Sequence, residues 1–236
     1  MTTVSDLYDA VAEKYDRYFD TPEYQRENRY VRAIIWFAGI HPREVTSVLD
    51  VGCGTALFLE LFDLRPEQYV GFDISMQMLT RAREKYPHHD FFWGDYNAPS
   101  PYRGFQLTRP WQQGSSHSHR PANAELIVSL FGSLNYMDHA TTTLTRIYHT
   151  LKPGGTFLSM VYTPAYRQKS DYILNGETAN VTEHYYQPEE YYLLLRSAGF
   201  QAKHISSLPI FPVKNITEAE YPWYYIFTKA TKPEDV

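Results

Sequence analysis

Apolar residues recur along this chain with two alternating periods. From Ser5 to Phe19, Leu7, Tyr8, Val11, Tyr15 and Tyr18 fall three and four residues apart, which predicts an amphipathic helix. A second helix is predicted from Pro22, whose fixed φ suits a first turn; Tyr30, Ile34 and Phe37 mark one face before Gly39 and Pro42 stop it. The period then shortens. Val45 to Val51 is a short apolar, β-branched run ending in glycines, as expected of a buried strand. A helix over Thr55 to Phe62, a strand over Gln68 to Asp73, and a helix capped by Ser75 with Met78, Leu79, Ala82 and Tyr86 on one face follow in turn. His89 to Trp93, Glu125 to Leu130 and Thr156 to Tyr162 are the third, fourth and fifth predicted strands. A helix bearing Leu144, Ile147, Tyr148 and Leu151 separates the last two and is ended by Lys152-Pro153-Gly154-Gly155.

Strand and helix alternating at this pitch predict an α/β fold, a parallel sheet with helices on both faces. The tail differs. A helix from Pro188 to Gly199 leads to strands near Phe200 to Ser206 and Tyr224 to Lys229, which, joined by loops, are expected to pair antiparallel at the sheet edge. Residues 1–236 read as one domain, with residues 1–40 as its two helices. Asp95 to Asn123 has almost no apolar periodicity and exceeds the ~12 to 15 residue limit of ordinary structureless loops, so it is expected to be either mobile or a lid.

Composition narrows the partners. Net charge is −5, from 22 basic and 27 acidic residues, and no five like charges run together, which argues against a nucleic-acid partner. The single cysteine, Cys53, forbids an intrachain disulfide and a cysteine-cluster metal site. No segment approaches the ~18 consecutive apolar residues of a membrane span, and the N-terminus lacks the basic and apolar regions of a signal peptide, so no membrane and a cytoplasmic location are expected. Tyrosines number 21 against 13 phenylalanines; a ring face joined to a hydroxyl suits a polar or cationic small ligand, although tyrosines also fill ordinary cores.

The most informative segment is Val48-Leu49-Asp50-Val51-Gly52-Cys53-Gly54-Thr55-Ala56, where an apolar strand delivers two alternate glycines to a helix start. Glycines there let a ligand lie against bare backbone, though an ordinary tight turn has the same composition. Asp73 ends the second strand 19 residues beyond Gly54, where a carboxylate can accept both ribose hydroxyls. Position 57 is leucine, not the third glycine of a dinucleotide fingerprint, which points to a nucleoside ligand without phosphates.

With those residues the chain resembles the class I S-adenosylmethionine-dependent methyltransferases over about residues 5 to 205, small-molecule type. Gly94-Asp95-Tyr96, Glu125 to Met137, Leu151-Lys152-Pro153-Gly154-Gly155-Thr156 and Ala198-Gly199-Phe200 extend the match, and the long loop after Tyr96 is the clearest departure. The resemblance implies a single Rossmann-like, doubly wound seven-stranded sheet with an antiparallel edge strand and an N-terminal helical lid. It also implies S-adenosylmethionine as cosubstrate. Asp50, Gly52, Cys53 and Gly54 would line its methionine moiety, Asp73 the ribose, Ile74 and Met78 the adenine faces, and Asp95 with Tyr96 the exocyclic amine. Ser129 and Phe131 would close it from the fourth strand. Tyr8 and Tyr15 would either reach over the methionine carboxylate from a lid helix or simply pack on the sheet.

For catalysis, Leu134-Asn135-Tyr136 lies just past the fourth strand, where Asn135 would orient a reacting amine or merely satisfy loop backbone, with Ser129 or Ser133 assisting. Tyr136, Tyr162, Tyr185 and Tyr186 sit near the carboxyl ends of strands, and His184, just before the last two, is the better general-base candidate, with a structural role as its alternative. His117 and His119 read as a solvated loop, so no metal is expected; Glu183 reads as part of a solvated face. The leading function is methyl transfer to a small-molecule acceptor. The same site would also serve cyclisation, in which the donor's own amine attacks its γ-carbon to give azetidine-2-carboxylate and methylthioadenosine, or aminocarboxypropyl transfer. A binding module that senses the donor ranks last, because it leaves the Asn135 loop without a task.

Overall fold

Helix starts coincide with short polar side chains that satisfy otherwise orphaned N–H groups. Thr3 accepts from Asp6 N while the Asp6 carboxylate accepts from Thr3 N, a reciprocal box at the head of α1 (Val4–Phe19). Thr21 caps α2 (Pro22–Phe37), and Ser75 caps α4 (Met76–Lys85) by accepting from Met78 N at 3.1 Å. The computed structural model describes residues 3–98, 123–164, 181–208 and 225–234. Its other elements are β1 (Val48–Val51), α3 (Leu57–Phe62), β2 (Tyr69–Asp73), β3 (Asp90–Trp93), β4 (Ala124–Ser129), α5 (Ala140–Thr150), β5 (Leu151–Tyr162), α6 (Pro188–Ser197), β6 (Gln201–Leu208) and β7 (Tyr225–Thr231). Short 3-10 turns occupy Pro66–Gln68 and Ser133–Tyr136. His117, His119, most of the long polar loop and residues 165–180 lie outside the described residues.

The seven strands form one sheet in the order β3-β2-β1-β4-β5-β7-β6. The five strands β1 to β5 run parallel, and β7 runs antiparallel to both β5 and β6. Thus the antiparallel strand stands one place in from the edge, and β6 is outermost. β1 and β2 are buried along their whole lengths, because successive side chains pack on opposite faces that are both covered. On one face Val48, Leu126, Val128 and Leu158 meet Ile35, Phe58, Leu59 and Leu79 from α2, α3 and α4. On the other, Leu49, Ile127 and Phe157 meet Leu144 and Ile147 of α5 and Tyr191 and Leu195 of α6.

The first strand starts at Val48 rather than Val45, and two further boundaries differ from the sequence reading for local reasons. The helix expected from Thr55 begins at Leu57, since Ala56 is left-handed at φ +69° and cannot be a helical residue. The Lys152-Pro153-Gly154-Gly155 run does end α5 but belongs to β5: Gly154 N donates to Lys232 O and Lys232 N to Gly155 O, both at 3.0 Å.

α1 lies over the carboxyl ends of β1 and β2, held by polar contacts rather than by apolar packing alone. Ser5 Oγ donates to Ile74 O at 3.1 Å, and Asp9 Oδ1 accepts from Ser75 Oγ at 2.5 Å and Gln77 N at 3.0 Å. Two turns beyond, Asp16 accepts from Thr55 Oγ1 at 2.5 Å and pairs with Lys85 at 3.0 Å.

Candidate active site

Strand order reverses between β1 and β4, and a parallel sheet opens a crevice at that point, beyond the carboxyl ends of the strands. A partly enclosed, largely apolar cleft lies there. Its walls include Gly52, Cys53 and Gly54 after β1, Asp73, Ile74 and Met78 after β2, Tyr96 after β3, Phe131, Ser133 and Tyr136 after β4, and Tyr8 and Tyr15 from α1.

The β1 turn is tight enough to require glycine. Gly52 has φ +75°, and a Cβ there would stand 2.3 Å from Ser133 Cβ. Gly52 N and Cys53 N both donate to Phe72 O, at 2.8 and 3.1 Å, which fastens the turn to β2. Gly54 N then donates to Asp73 Oδ2, and Ser75 N to Asp73 Oδ1, each at 2.8 Å. Each carboxylate oxygen therefore holds one backbone N–H and keeps accepting capacity. Burial pushes the Asp73 carboxyl up to about 6 despite those donors. Asp50 lies deeper, 3% exposed, and its Oδ2 accepts the Tyr69 hydroxyl at 2.8 Å. Burial, reinforced by Asp73, pushes its carboxyl up to about 7. Burial likewise raises the Cys53 thiol well above its usual value, so it meets the cleft as a small neutral group.

Tyrosines form the other end. Tyr8 Oη donates to Tyr136 Oη at 3.3 Å, with ring centroids 5.8 Å apart at 89°, and Tyr8 meets Tyr15 edge-on at 6.3 Å. Tyr96 Oη donates to Ser133 O, bracing the turn that carries Tyr136. Burial raises the hydroxyls of Tyr8, Tyr96 and Tyr136 well above the ordinary phenol range, so they stay protonated.

Six residues expected at the site do not line this cleft, and in five of them side-chain polar atoms are engaged elsewhere. Asp50 faces Tyr69 behind the glycine turn. Asp95 Oδ1 accepts Asn97 N at 2.8 Å within its own turn. Ser129, fully buried, donates to Val51 O at 2.8 Å and bonds Ser133 Oγ at 2.6 Å; it is Ser133 that reaches the cleft. Asn135, also fully buried, accepts Tyr162 N at 2.9 Å and donates to Tyr162 O at 3.2 Å and to His184 O. Its carbonyl oxygen is thus committed to backbone, the second of the two roles that the sequence left open. Tyr162 donates to Phe131 O at 2.8 Å from behind the loop and sets the position of Phe131. His184 is half-buried, and its N donates to Asn135 O at 2.7 Å.

Other groups come forward that periodicity did not single out. Val4, Thr55, Leu57, Phe72 and Leu130 complete the walls. Glu183, expected on a solvated face, is half-buried and accepts the Tyr185 hydroxyl; its charge helps to raise the hydroxyls of Tyr136 and Tyr8. The adjacent Tyr185-Tyr186 pair, which the sequence places near the carboxyl ends of strands, was the available signal for this end, but it says nothing of Glu183.

Comparison with known proteins places this geometry. Residues 14–205 match the family model described as "Methyltransferase domain". The chain is 30% identical over 115 residues to dTDP-3-amino-3,4,6-trideoxy-alpha-D-glucopyranose N,N-dimethyltransferase of Streptomyces venezuelae, covering 48% of this chain and 40% of that protein. It is 28% identical over 167 residues to demethylmenaquinone methyltransferase of Symbiobacterium thermophilum, covering 66% and 58%. These matches span about half the length of the curated relatives. A chain in the complex between the Haloferax volcanii Trm112 methyltransferase activator and its methyltransferase shares the fold with a TM-score of 0.69 at 20% identity, covering 99% of each chain. With four-fifths of its length inside the family model and the sheet order, glycine turn and post-β2 acid in place, the chain belongs to the methyltransferase-domain family, for which S-adenosylmethionine is the methyl donor.

Proposed function

We propose that this chain binds S-adenosylmethionine in the cleft after β1 and transfers its methyl group to a small-molecule acceptor. One observation carries the reading: bare backbone at Gly54, the Asp73 carboxylate and an aromatic lid converge on a single cleft. The donor fits these residues. A Cβ on Gly54 would meet nothing within 4 Å, so ligand can lie against the main chain there, and the spare lone pairs of Asp73 suit two vicinal hydroxyls. Ile74 and Met78 offer apolar faces to a base, and Gly52, Cys53, Tyr8 and Tyr15 surround the amino-acid end. Two named relatives act on small molecules, an amino sugar nucleotide and a quinone precursor, which supports an acceptor of that size.

When bound, the donor supplies a methyl group made electrophilic by its sulfonium. The chain's own part is positioning. In-line displacement needs the nucleophile about 3 to 3.5 Å from the methyl carbon, and the walls must exclude water that would compete for it. α1 does the excluding, fastened through Ser5, Asp9 and Asp16 to the turns after β1 and β2. Protonated Tyr8 and Tyr136 present ring faces and neutral hydroxyls to a cationic centre, not phenolate nucleophiles. Asn135, Ser129 and Tyr162 are positioning residues that hold the post-β4 loop from behind.

The test is calorimetric titration with S-adenosylhomocysteine, followed by incubation with S-adenosylmethionine alone and mass spectrometry. Tight binding with an intact donor supports methyl transfer to an added acceptor. Absence of binding refutes the site. Catalytic accumulation of methylthioadenosine, with a ring-closed amino acid or an aminocarboxypropyl product, refutes methyl transfer in favour of γ-carbon chemistry.

A further inference from the structure

Glu183 is not itself among the walls of the cleft, but contacts far apart in the chain hold it next to the Asn135-Tyr136 turn at the cleft's tyrosine end. Residues 183–186 form a strap pinned at three points: His184 N donates to Asn135 O at 2.7 Å, Asn135 Nδ2 donates to His184 O, and Tyr186 N donates to Tyr162 O at 3.1 Å. Asn135 precedes Tyr136, so the strap holds Glu183 one residue from the anchor of a tyrosine that lines the cleft. The Tyr185 hydroxyl donates to the Glu183 carboxylate and orients it. Tyr136 and Tyr8 stand at right angles, so two ring faces line that end of the cleft. That charge reaches both of their hydroxyls, for it is the largest electrostatic influence on Tyr136 and also acts on Tyr8.

We infer that this end of the cleft is a subsite for an amine acceptor, with Glu183 as its counter-charge and the rings of Tyr8 and Tyr136 as its walls. The inference rests on the methyl-transfer reading and names the acceptor class within it. A half-buried carboxylate repels carboxylate and phosphate acceptors and attracts nitrogen that carries, or is about to carry, positive charge. In the transfer, the lone pair of a neutral amine forms the new N–C bond while the electron pair of the breaking C–S bond stays on sulfur. The products are a thioether and an N-methylammonium, which then releases its proton to water. Positive charge has moved from sulfur to nitrogen, toward Glu183, so the carboxylate stabilises the transition state more than the ground state. Tyrosine faces favour the same cation.

The probe is choline, a quaternary ammonium that cannot accept a methyl group, compared with its uncharged carbon isostere 3,3-dimethylbutan-1-ol. Each is titrated by NMR into the full chain saturated with S-adenosylhomocysteine. Choline is expected to bind about tenfold or more tightly than the isostere, a preference of at least about 1.4 kcal/mol. Glu183→Gln should abolish that preference, and Glu183→Asp should restore part of it, with thermal unfolding reporting that each variant folds. Equal affinity of the two probes for the unaltered protein overturns the inference even if no variant folds, as does a preference that survives in Glu183→Gln. Failure of S-adenosylhomocysteine itself to bind refutes the methyl-transfer reading instead, and the two failures are read from separate titrations.

Discussion

Asp50 makes a measurable demand on stability. It is 3% exposed on β1, its partner is the neutral Tyr69 hydroxyl, and a second carboxylate at Asp73 adds to the cost of ionising it. The unfolded chain ionises this group near 3.8, the folded chain only near about 7. Below pH 3.8 both states are protonated and nothing is lost. As pH rises from there the unfolded state releases its proton first, so stability falls until the folded pKa is passed and then levels off. With about 1.4 kcal/mol for each pH interval, the span amounts to roughly 4 kcal/mol above pH 7. Asp50→Asn keeps an oxygen for the Tyr69 hydroxyl and removes the charge. Whatever constant penalty the buried NH₂ brings, about 1 to 3 kcal/mol, does not depend on pH. Urea unfolding of ligand-free protein at intervals between pH 5 and pH 8 should therefore show the variant gaining on the wild type by a few kcal/mol as pH rises. Asp73, pushed up to about 6, contributes with the same sign in both proteins and largely drops out of the comparison. Parallel pH profiles for the two proteins would refute the reasoning, because they would mean that Asp50 ionises as readily folded as unfolded.

Three further outcomes follow from the geometry. Asp73→Ala should weaken S-adenosylhomocysteine binding by about 1.5 to 3 kcal/mol, since it removes the carboxylate and frees Gly54 N and Ser75 N; unchanged affinity by calorimetry would contradict the ribose assignment. Gly132→Ala should lower the Tm by several degrees, because φ is +81° and the new Cβ would stand 2.1 Å from the Tyr162 ring; an unshifted melting curve would count against that contact. Asn135→Ala removes the side-chain acceptor of Tyr162 N and the side-chain donor to His184 O, while Tyr162 O keeps Tyr186 N, and should cost about 1 to 3 kcal/mol in urea unfolding, with amide exchange quickening at Tyr162 and His184; exchange unchanged at both would show that the strap is held some other way.

Features encoded within one strand-turn-helix unit were readable from the residues. The buried strand before Gly52, the glycine turn and Asp73 19 residues beyond Gly54 are local, because strand length, turn and helix length together decide where the next strand ends. Ser75 as a helix cap and Pro22 as a first-turn residue are local in the same sense. Side chains whose partners lie on other elements were not readable. Asn135 bonds Tyr162 at a separation of 27 residues and His184 at 49, so composition alone left it between orienting an amine and satisfying backbone. Asp50 pairs with Tyr69 only because β1 and β2 lie side by side, and Glu183 meets the tyrosines only because the strap is pinned to the post-β4 loop. Apolar alternation likewise marks β6 and β7 as strands but is blind to the insertion of β7 between β5 and β6. Periodicity reports which face of an element is covered; which neighbour covers it depends on packing the whole sheet, and there hydrogen bonds between distant residues choose the walls of the cleft.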